Sequence, residues 1–170
     1  MDTVETVWHY FMLYRYYFLF LIVFLEYLNM PGLPAGIIMP AAGILIASHQ
    51  GNFAVALFIS IVAGLLGSGV LYFLGRFLDK MVLMRFYRRW PRFQPAIDKT
   101  MAYMERYGDK GVFVARLLPV FRTLISLAAG VLRVGFGRFV FFSVWGIAIW
   151  NFVFIFAGYW LGDALLPYLR

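Results

Sequence analysis

The stretch MPGLPAGIIMPAAGILIASHQGN, Met30–Asn52, decides how this chain is read. It is apolar enough to enter a bilayer, yet it holds Pro31, Pro34 and Pro40, with Gly32, Gly36 and Gly43 between them. Proline removes a backbone donor and clashes with the preceding turn, and glycine adds backbone freedom, so a straight spanning helix is disfavoured here. Non-helical backbone survives at membrane depth only where it is buried in protein or faces water. Residues Pro31–Gly51 are therefore expected to form a re-entrant hairpin that enters and leaves the bilayer on one side.

Composition sets the surroundings of that hairpin. The 170 residues are 64% hydrophobic and 14% charged, with a mean hydropathy of +0.82. A soluble domain is about half apolar and a quarter charged, so the chain reads as an integral membrane protein. With no cysteine, disulfides, thiolate catalysis and iron–sulfur centres are excluded. A net charge of +7 would raise nucleic acid as a partner in a soluble protein, but no nucleic-acid motif accompanies it. The basic residues are expected on the cytoplasmic side, against anionic lipid.

Outward from the hairpin the chain alternates in character. The N-terminal segment starts with Asp2 and Glu5, has no basic leader and no small-residue cleavage site, and reads as retained. Val4–Tyr17 suits an interfacial helix, and Phe18–Leu28 its continuation into the membrane. Phe53–Leu78 and Val140–Leu166 are long enough to span at about 1.5 Å per residue. Between them lies a basic loop with Lys80, Arg85, Arg88, Arg89, Arg92, Lys99, Arg106 and Lys110. Within it, Ala96–Tyr107 carries Ile97, Met101 and Met104 on one face, the pattern of an interfacial amphipathic helix. After Gly111 comes a second broken apolar stretch, with Pro119 and Gly130.

The two broken stretches repeat one another. Shifted by 87 positions, Ala41-Ala42-Gly43 falls on Ala128-Ala129-Gly130, and Tyr72, Leu74, Gly75 and Leu78 fall on Tyr159, Leu161, Gly162 and Leu165. If each broken stretch returns on its own side, each unit crosses once and the second unit is inverted. Interrupted elements in inverted repeats are a transporter pattern. The resulting topology has the N-terminus and basic loop inside and the C-terminus outside.

Few ionisable residues lie in these apolar segments, and each needs a reason, since a central Arg or Asp costs about 2.5–3.5 kcal/mol. Arg116 and Arg122 frame RLLPVFR. On a regular helix they would sit about 120° apart, but Pro119 is expected to break it, so that both can face one cavity. A guanidinium keeps its charge and grips phosphate through paired hydrogen bonds, which makes a lipid phosphate a natural ligand for this pair. Snorkelling to the interface, or pairing with Glu26, is the structural alternative. Glu26, beside the hairpin, is a candidate for proton coupling or a static ion pair. Asp163 and His49 read as interfacial, Arg133 and Arg138 as fixing orientation, and Asn151 as an interhelical hydrogen-bonder. Protease, esterase, Walker and metal-ligand motifs are absent from the sequence; a non-enzyme without metal or cofactor is expected.

The motifs together resemble one family. Glu26 precedes Asn-x-Pro-Gly-x-Pro at Asn29–Pro34. Ala-Ala-Gly follows at 41–43, a span ends in Tyr-x-x-Gly-Arg at Tyr72–Arg76, and then come ERYG, RLLPVFR, AAGVLRVGFGRF and a late tryptophan. This pattern, over Glu26–Leu165, resembles the DedA family, also called the SNARE-associated Golgi or VTT-domain family. The resemblance implies two re-entrant hairpins facing each other. It implies movement of undecaprenyl phosphate or phospholipids such as phosphatidylethanolamine between leaflets, driven in some members by the proton-motive force. It assigns the family's essential acidic and arginine positions to Glu26, Arg116 and Arg122. Many members carry a second acid after the Leu-Pro of the first hairpin; here Ala35 and Gly36 follow Pro34.

The expectation is thus an all-α integral membrane domain over 1–170. An N-terminal helix occupies 1–29, repeat 1 occupies 30–78, a basic cytoplasmic segment 79–110 and repeat 2 111–166. The hairpins are formed by Pro31, Gly32, Pro34, Gly36, Pro40, Gly43, Pro119 and Gly130. The expected function is translocation of a phosphate-headgroup lipid across the bacterial inner membrane. A proton-coupled solute exporter and a membrane scaffold are the alternatives. The partners are anionic or phosphate-headgroup lipids, with room for a homo-oligomer.

Overall fold

The computed structural model describes residues 3–28, 35–48, 51–77, 94–118 and 121–169, and among these the chain is wholly helical. Six helices follow in order: α1 (Thr3–Tyr27), α2 (Ala35–Ser48), α3 (Phe53–Phe77), α4 (Gln94–Arg116), α5 (Phe121–Val131) and α6 (Phe136–Leu169). Two of them, Phe53–Phe77 and Phe136–Gly162 within α6, are long and apolar enough to cross a membrane. Both expected spans are therefore present, the second beginning a turn earlier than Val140. The apolar parts of α1 and α2, Tyr16–Tyr27 and Ile37–Ala47, fall short of that length.

Local chemistry sets the helix ends. Asn52 caps α3, its Oδ1 accepting from the backbone N–H groups of Ala54 at 3.0 Å and Val55 at 3.2 Å, which satisfies two donors that a helix start leaves free. At the end of α5, Arg133 adopts a left-handed φ of 54°. Its N–H bonds the Gly130 carbonyl, and that of Val134 bonds the Ala129 carbonyl, both at 3.0 Å. These crossed bonds close the helix and turn the chain into α6. The amphipathic segment expected at Ala96–Tyr107 lies within α4, which continues to Arg116 through a break at Gly108 (φ 57°, ψ −142°).

The hairpin expected over Pro31–Gly51 is altered, because most of that stretch, Ala35–Ser48, is the single helix α2. Gly36, Pro40 and Gly43 lie inside α2, and Gly130 lies inside α5, so none of the four sits at a turn. Pro40 lies inside α2, in its second turn, where its missing N–H forfeits the bond to the Gly36 carbonyl. Pro31, Gly32, Pro34 and Pro119 lie outside the described residues. The glycines serve contact instead: a Cβ on Gly43 would strike the backbone of Ile155 and Tyr159 in α6, and one on Gly130 the backbone of Tyr72 and Arg76 in α3. Glycine lets two helix backbones approach where a side chain would hold them apart. These approaches come in pairs 87 residues apart. Gly43 meets Tyr159 as Gly130 meets Tyr72, and Gly162 meets Ile44 as Gly75 meets Val131.

The same contacts give the directions of the helices. Ser60 faces Asn151 and Gly64 faces Ile147, so α3 and α6 run antiparallel. Tyr16 reaches Asn52 while Tyr27 packs on Gly64 and Gly67, so α1 runs parallel to α3 and ends level with its midpoint. α2 follows the second half of α6, from Pro40 at Gly158 to Ala47 at Gly162. The outer faces of α3 and α6 carry exposed Phe58, Leu66, Phe141, Trp145 and Trp160, a surface suited to lipid.

Two glycine substitutions separate packing from propensity. Gly130→Val is expected to lower stability by at least about 1–3 kcal/mol through overpacking. Gly69→Ala, in α3 with nothing near its Cβ position, is expected to be neutral or to stabilise by about 0.5–1 kcal/mol. Thermal unfolding in detergent micelles checks both.

Candidate functional site: a buried arginine–glutamate cluster

The ends of α1 and α4 and the start of α5 converge between the midpoints of α3 and α6. α1 delivers Glu26 and Tyr27, α4 delivers Arg116, and α5 delivers Arg122. Glu26 is 3% exposed and the two arginines are 1% exposed each, so snorkelling does not describe either guanidinium. Arg122 Nη2 forms an ion pair with Glu26 Oε1. Its guanidinium carbon lies 4.3 Å from the centre of the Tyr27 ring and 5.4 Å from that of Trp150. Two aromatic faces thus flank the cation, where ring quadrupoles attract it most once water is gone.

Arg116 is held differently. Nη1 donates to Ser68 Oγ at 3.0 Å and Nη2 to Ser126 Oγ at 3.1 Å, which ties the end of α4 to α3 and α5. Its stem lies against Gly146 of α6, where an added Cβ would come within 2.8 Å, and its charge lies 5.4 Å from the Phe139 ring. The two arginines are therefore unequal. Both terminal nitrogens of Arg116 are occupied by hydroxyls, leaving Nε without a partner, whereas Nε and Nη1 of Arg122 both lack one among the described residues. Glu26 Oε2, Ser143 Oγ and Trp150 Nε1 are likewise buried and unpartnered. A buried polar atom without a partner carries its full desolvation cost, so this group of atoms is a place where a ligand is favoured.

Beneath the ion pair runs a hydrogen-bond chain. Tyr27 OH donates to Asn151 Oδ1 at 3.0 Å, Asn151 Nδ2 donates to Ser60 Oγ at 3.1 Å, and Ser60 donates to the Leu57 carbonyl at 2.7 Å. It fixes the ring on which Arg122 rests and joins α1, α6 and α3.

Of the residues singled out in the sequence, Glu26, Arg116 and Arg122 are brought together, although 96 positions separate the ion-paired residues. Asn151 bonds between helices, as its place in a span suggested. Arg133 sits in the α5–α6 turn and exposed Arg138 at the start of α6, both away from the cluster. The side chains of Asp163 and His49 lie outside the described residues. Sequence reasoning missed Tyr27, Trp150, Ser68 and Ser126. The first two had a usable signal, as aromatic neighbours of Glu26 and Asn151; the serines resembled ordinary small packing residues.

Two helices long and apolar enough to cross a membrane, with a cluster of buried charges between them, define a membrane protein. Comparison with known proteins agrees: the VTT domain model matches residues 33–160, and the chain belongs to this family, the DedA family. The undecaprenyl phosphate transporter A of Staphylococcus aureus is 30% identical over 155 residues, covering 89% of this chain and 76% of that protein. Its namesake in Bacillus subtilis is 28% identical, covering 77% and 66%. Protein DedA of Escherichia coli K12 is 28% identical, covering 86% and 68%. No solved structure matches the chain significantly.

The ion pair makes a stability prediction. Glu26→Ala leaves Arg122 buried without a counter-charge and is expected to cost about 3–5 kcal/mol, whereas a Glu26→Leu, Arg122→Leu double variant is expected to regain most of that loss. Thermal unfolding of the three proteins in micelles decides it; a double variant as unstable as the single one would contradict it.

Proposed function

We propose that the protein carries a phosphate-headgroup lipid between the leaflets of the bacterial inner membrane, as a multi-pass flippase or scramblase. One observation carries this reading: two buried arginines and one glutamate meet where the ends of α1 and α4 and the start of α5 converge, between the two helices long and apolar enough to cross a membrane. A charge at such depth is costly and marks a substrate path, and the paired geometry of guanidinium suits phosphate. The names of the two undecaprenyl phosphate transporters point to the same ligand chemistry.

The architecture supports passage of the headgroup alone. Tyr16–Tyr27 with α2, and the end of α4 with α5, act as two re-entrant hairpins in inverted repeats. The antiparallel α3 and α6 and the contacts paired 87 residues apart are what a two-fold relation between the units requires. Arg76 at the end of α3 and the basic residues after it favour a cytoplasmic side for that end; with Tyr16 of α1 beside Asn52 at the other end of α3, α1 then starts on the far side, against the expected inside N-terminus. The headgroup passes between the hairpin ends while its acyl chains stay in lipid along the exposed faces of α3 and α6. Glu26 holds Arg122 while no headgroup is present and yields it to a phosphate oxygen; taking up a proton weakens its hold and couples transport to a proton gradient.

Purified protein in liposomes should move a labelled phosphate-headgroup lipid between leaflets. The Arg116→Ala, Arg122→Ala double variant should lose this by at least about tenfold, the factor set by about 1.4 kcal/mol. Equal movement by a folded double variant would overturn the reading.

A further inference from the structure

The cluster is short of one negative charge. Arg116 and Arg122 face Glu26 alone, and all three are buried. Among the described residues, the other elements packed around them bring no anion. α2 has no ionisable side chain, α3 presents Ser60 and Ser68, and α6 presents Ser143, Trp150 and Asn151. Tyr27 is the remaining titratable group at the end of α1, bonded to Asn151. On α4, Asp98 and Glu105 are exposed, away from the cluster. Residues 29–34 and 119–120, which adjoin the helix ends meeting here, contain no ionisable side chain. An uncompensated charge in such surroundings is far costlier than a neutralised one.

Resting on the lipid-phosphate reading above, we infer that this site matches headgroup charge, and that the number of protons taken up with the ligand is set by that charge. A phosphodiester carries one negative charge and brings the cluster to neutrality with Glu26 ionised. A phosphomonoester dianion overshoots by one, and a single proton drawn from water restores neutrality. Glu26 is the group placed to carry it. Its Oε1 holds Arg122 and its Oε2 is unpartnered, so protonation frees Arg122 for the phosphate and turns Oε2 from a repelling acceptor into a donor. Arg122 Nε and Nη1 and Arg116 Nε supply the remaining donors. No covalent bond forms or breaks; one proton is taken up with a monoester headgroup and none with a diester.

The test is calorimetric titration of the purified full chain in micelles at about pH 8, where a phosphomonoester with its second pKa of about 6 is a dianion. Two buffers of different ionisation heat report the protons taken up. The probes are dioctanoyl phosphatidic acid, a monoester, and dioctanoyl phosphatidylglycerol, a diester. The expected result is about one proton per monoester and about none per diester, by the linkage of binding to protonation. With Glu26→Gln the cluster carries both positive charges uncompensated, so the monoester binds without proton uptake. Equal proton numbers for the two probes, or uptake that persists in Glu26→Gln, would overturn the inference while leaving the phosphate site standing. Failure of both probes to bind the wild-type protein would overturn the phosphate reading itself, and the charge matching with it.

Discussion

The ion pair between Glu26 and Arg122 holds together two parts of the chain that have little else in common. One partner ends α1, which comes from the N-terminus; the other begins α5, which follows the basic segment. Among the described residues, the apolar part of α1, Tyr16–Tyr27, is shorter than a span and α5 has 11 residues, so a helix end of each would lie in hydrocarbon unless something polar met it there. The pair supplies that meeting, and Arg116 reinforces it by tying the end of α4 to Ser68 and Ser126. A buried pair is weak evidence of added stability, because desolvation offsets the attraction. Its value here is to fix where the short helices end.

Small residues make that arrangement possible. Gly43, Gly75, Gly130 and Gly158 bring α2 onto α6 and α5 onto α3 at distances that no side chain would permit. Without a hydrophobic driving force between helices in lipid, close backbone packing of this kind is what holds spans together. The two scaffold contacts then set the positions at which α1, α4 and α5 can bring charge to the centre.

The two arginines illustrate how like residues acquire unlike roles. RLLPVFR places both within seven residues, and nothing in that string separates them. Hydroxyls on α3 and α5 occupy Arg116, while a carboxylate and two aromatic rings surround Arg122. The first is a brace with one nitrogen unpartnered among the described residues, the second a cation paired with a carboxylate. The difference is created by Ser68, Ser126, Tyr27 and Trp150, none of which is near either arginine in the sequence except Ser126.

The sequence by itself determined the membrane class, the two spans, the basic segment and the short set of charges able to act inside a bilayer. These follow from composition and from the cost of burying an ionised group, which are properties of residues and not of their neighbours. The sequence match at 87 positions is echoed in the structure by glycines at close helix contacts, Gly43 with Gly130 and Gly75 with Gly162. The tertiary structure decided the rest. Pro40 and Gly43 read as breakers, yet α2 runs through them, because packing against α6 rewards a close helix more than local propensity penalises it. Arg122 could not be matched to Glu26, nor Tyr27 to Asn151, from spacing alone. Those partners are 96 and 124 residues apart, and only the crossing of antiparallel spans brings them within reach.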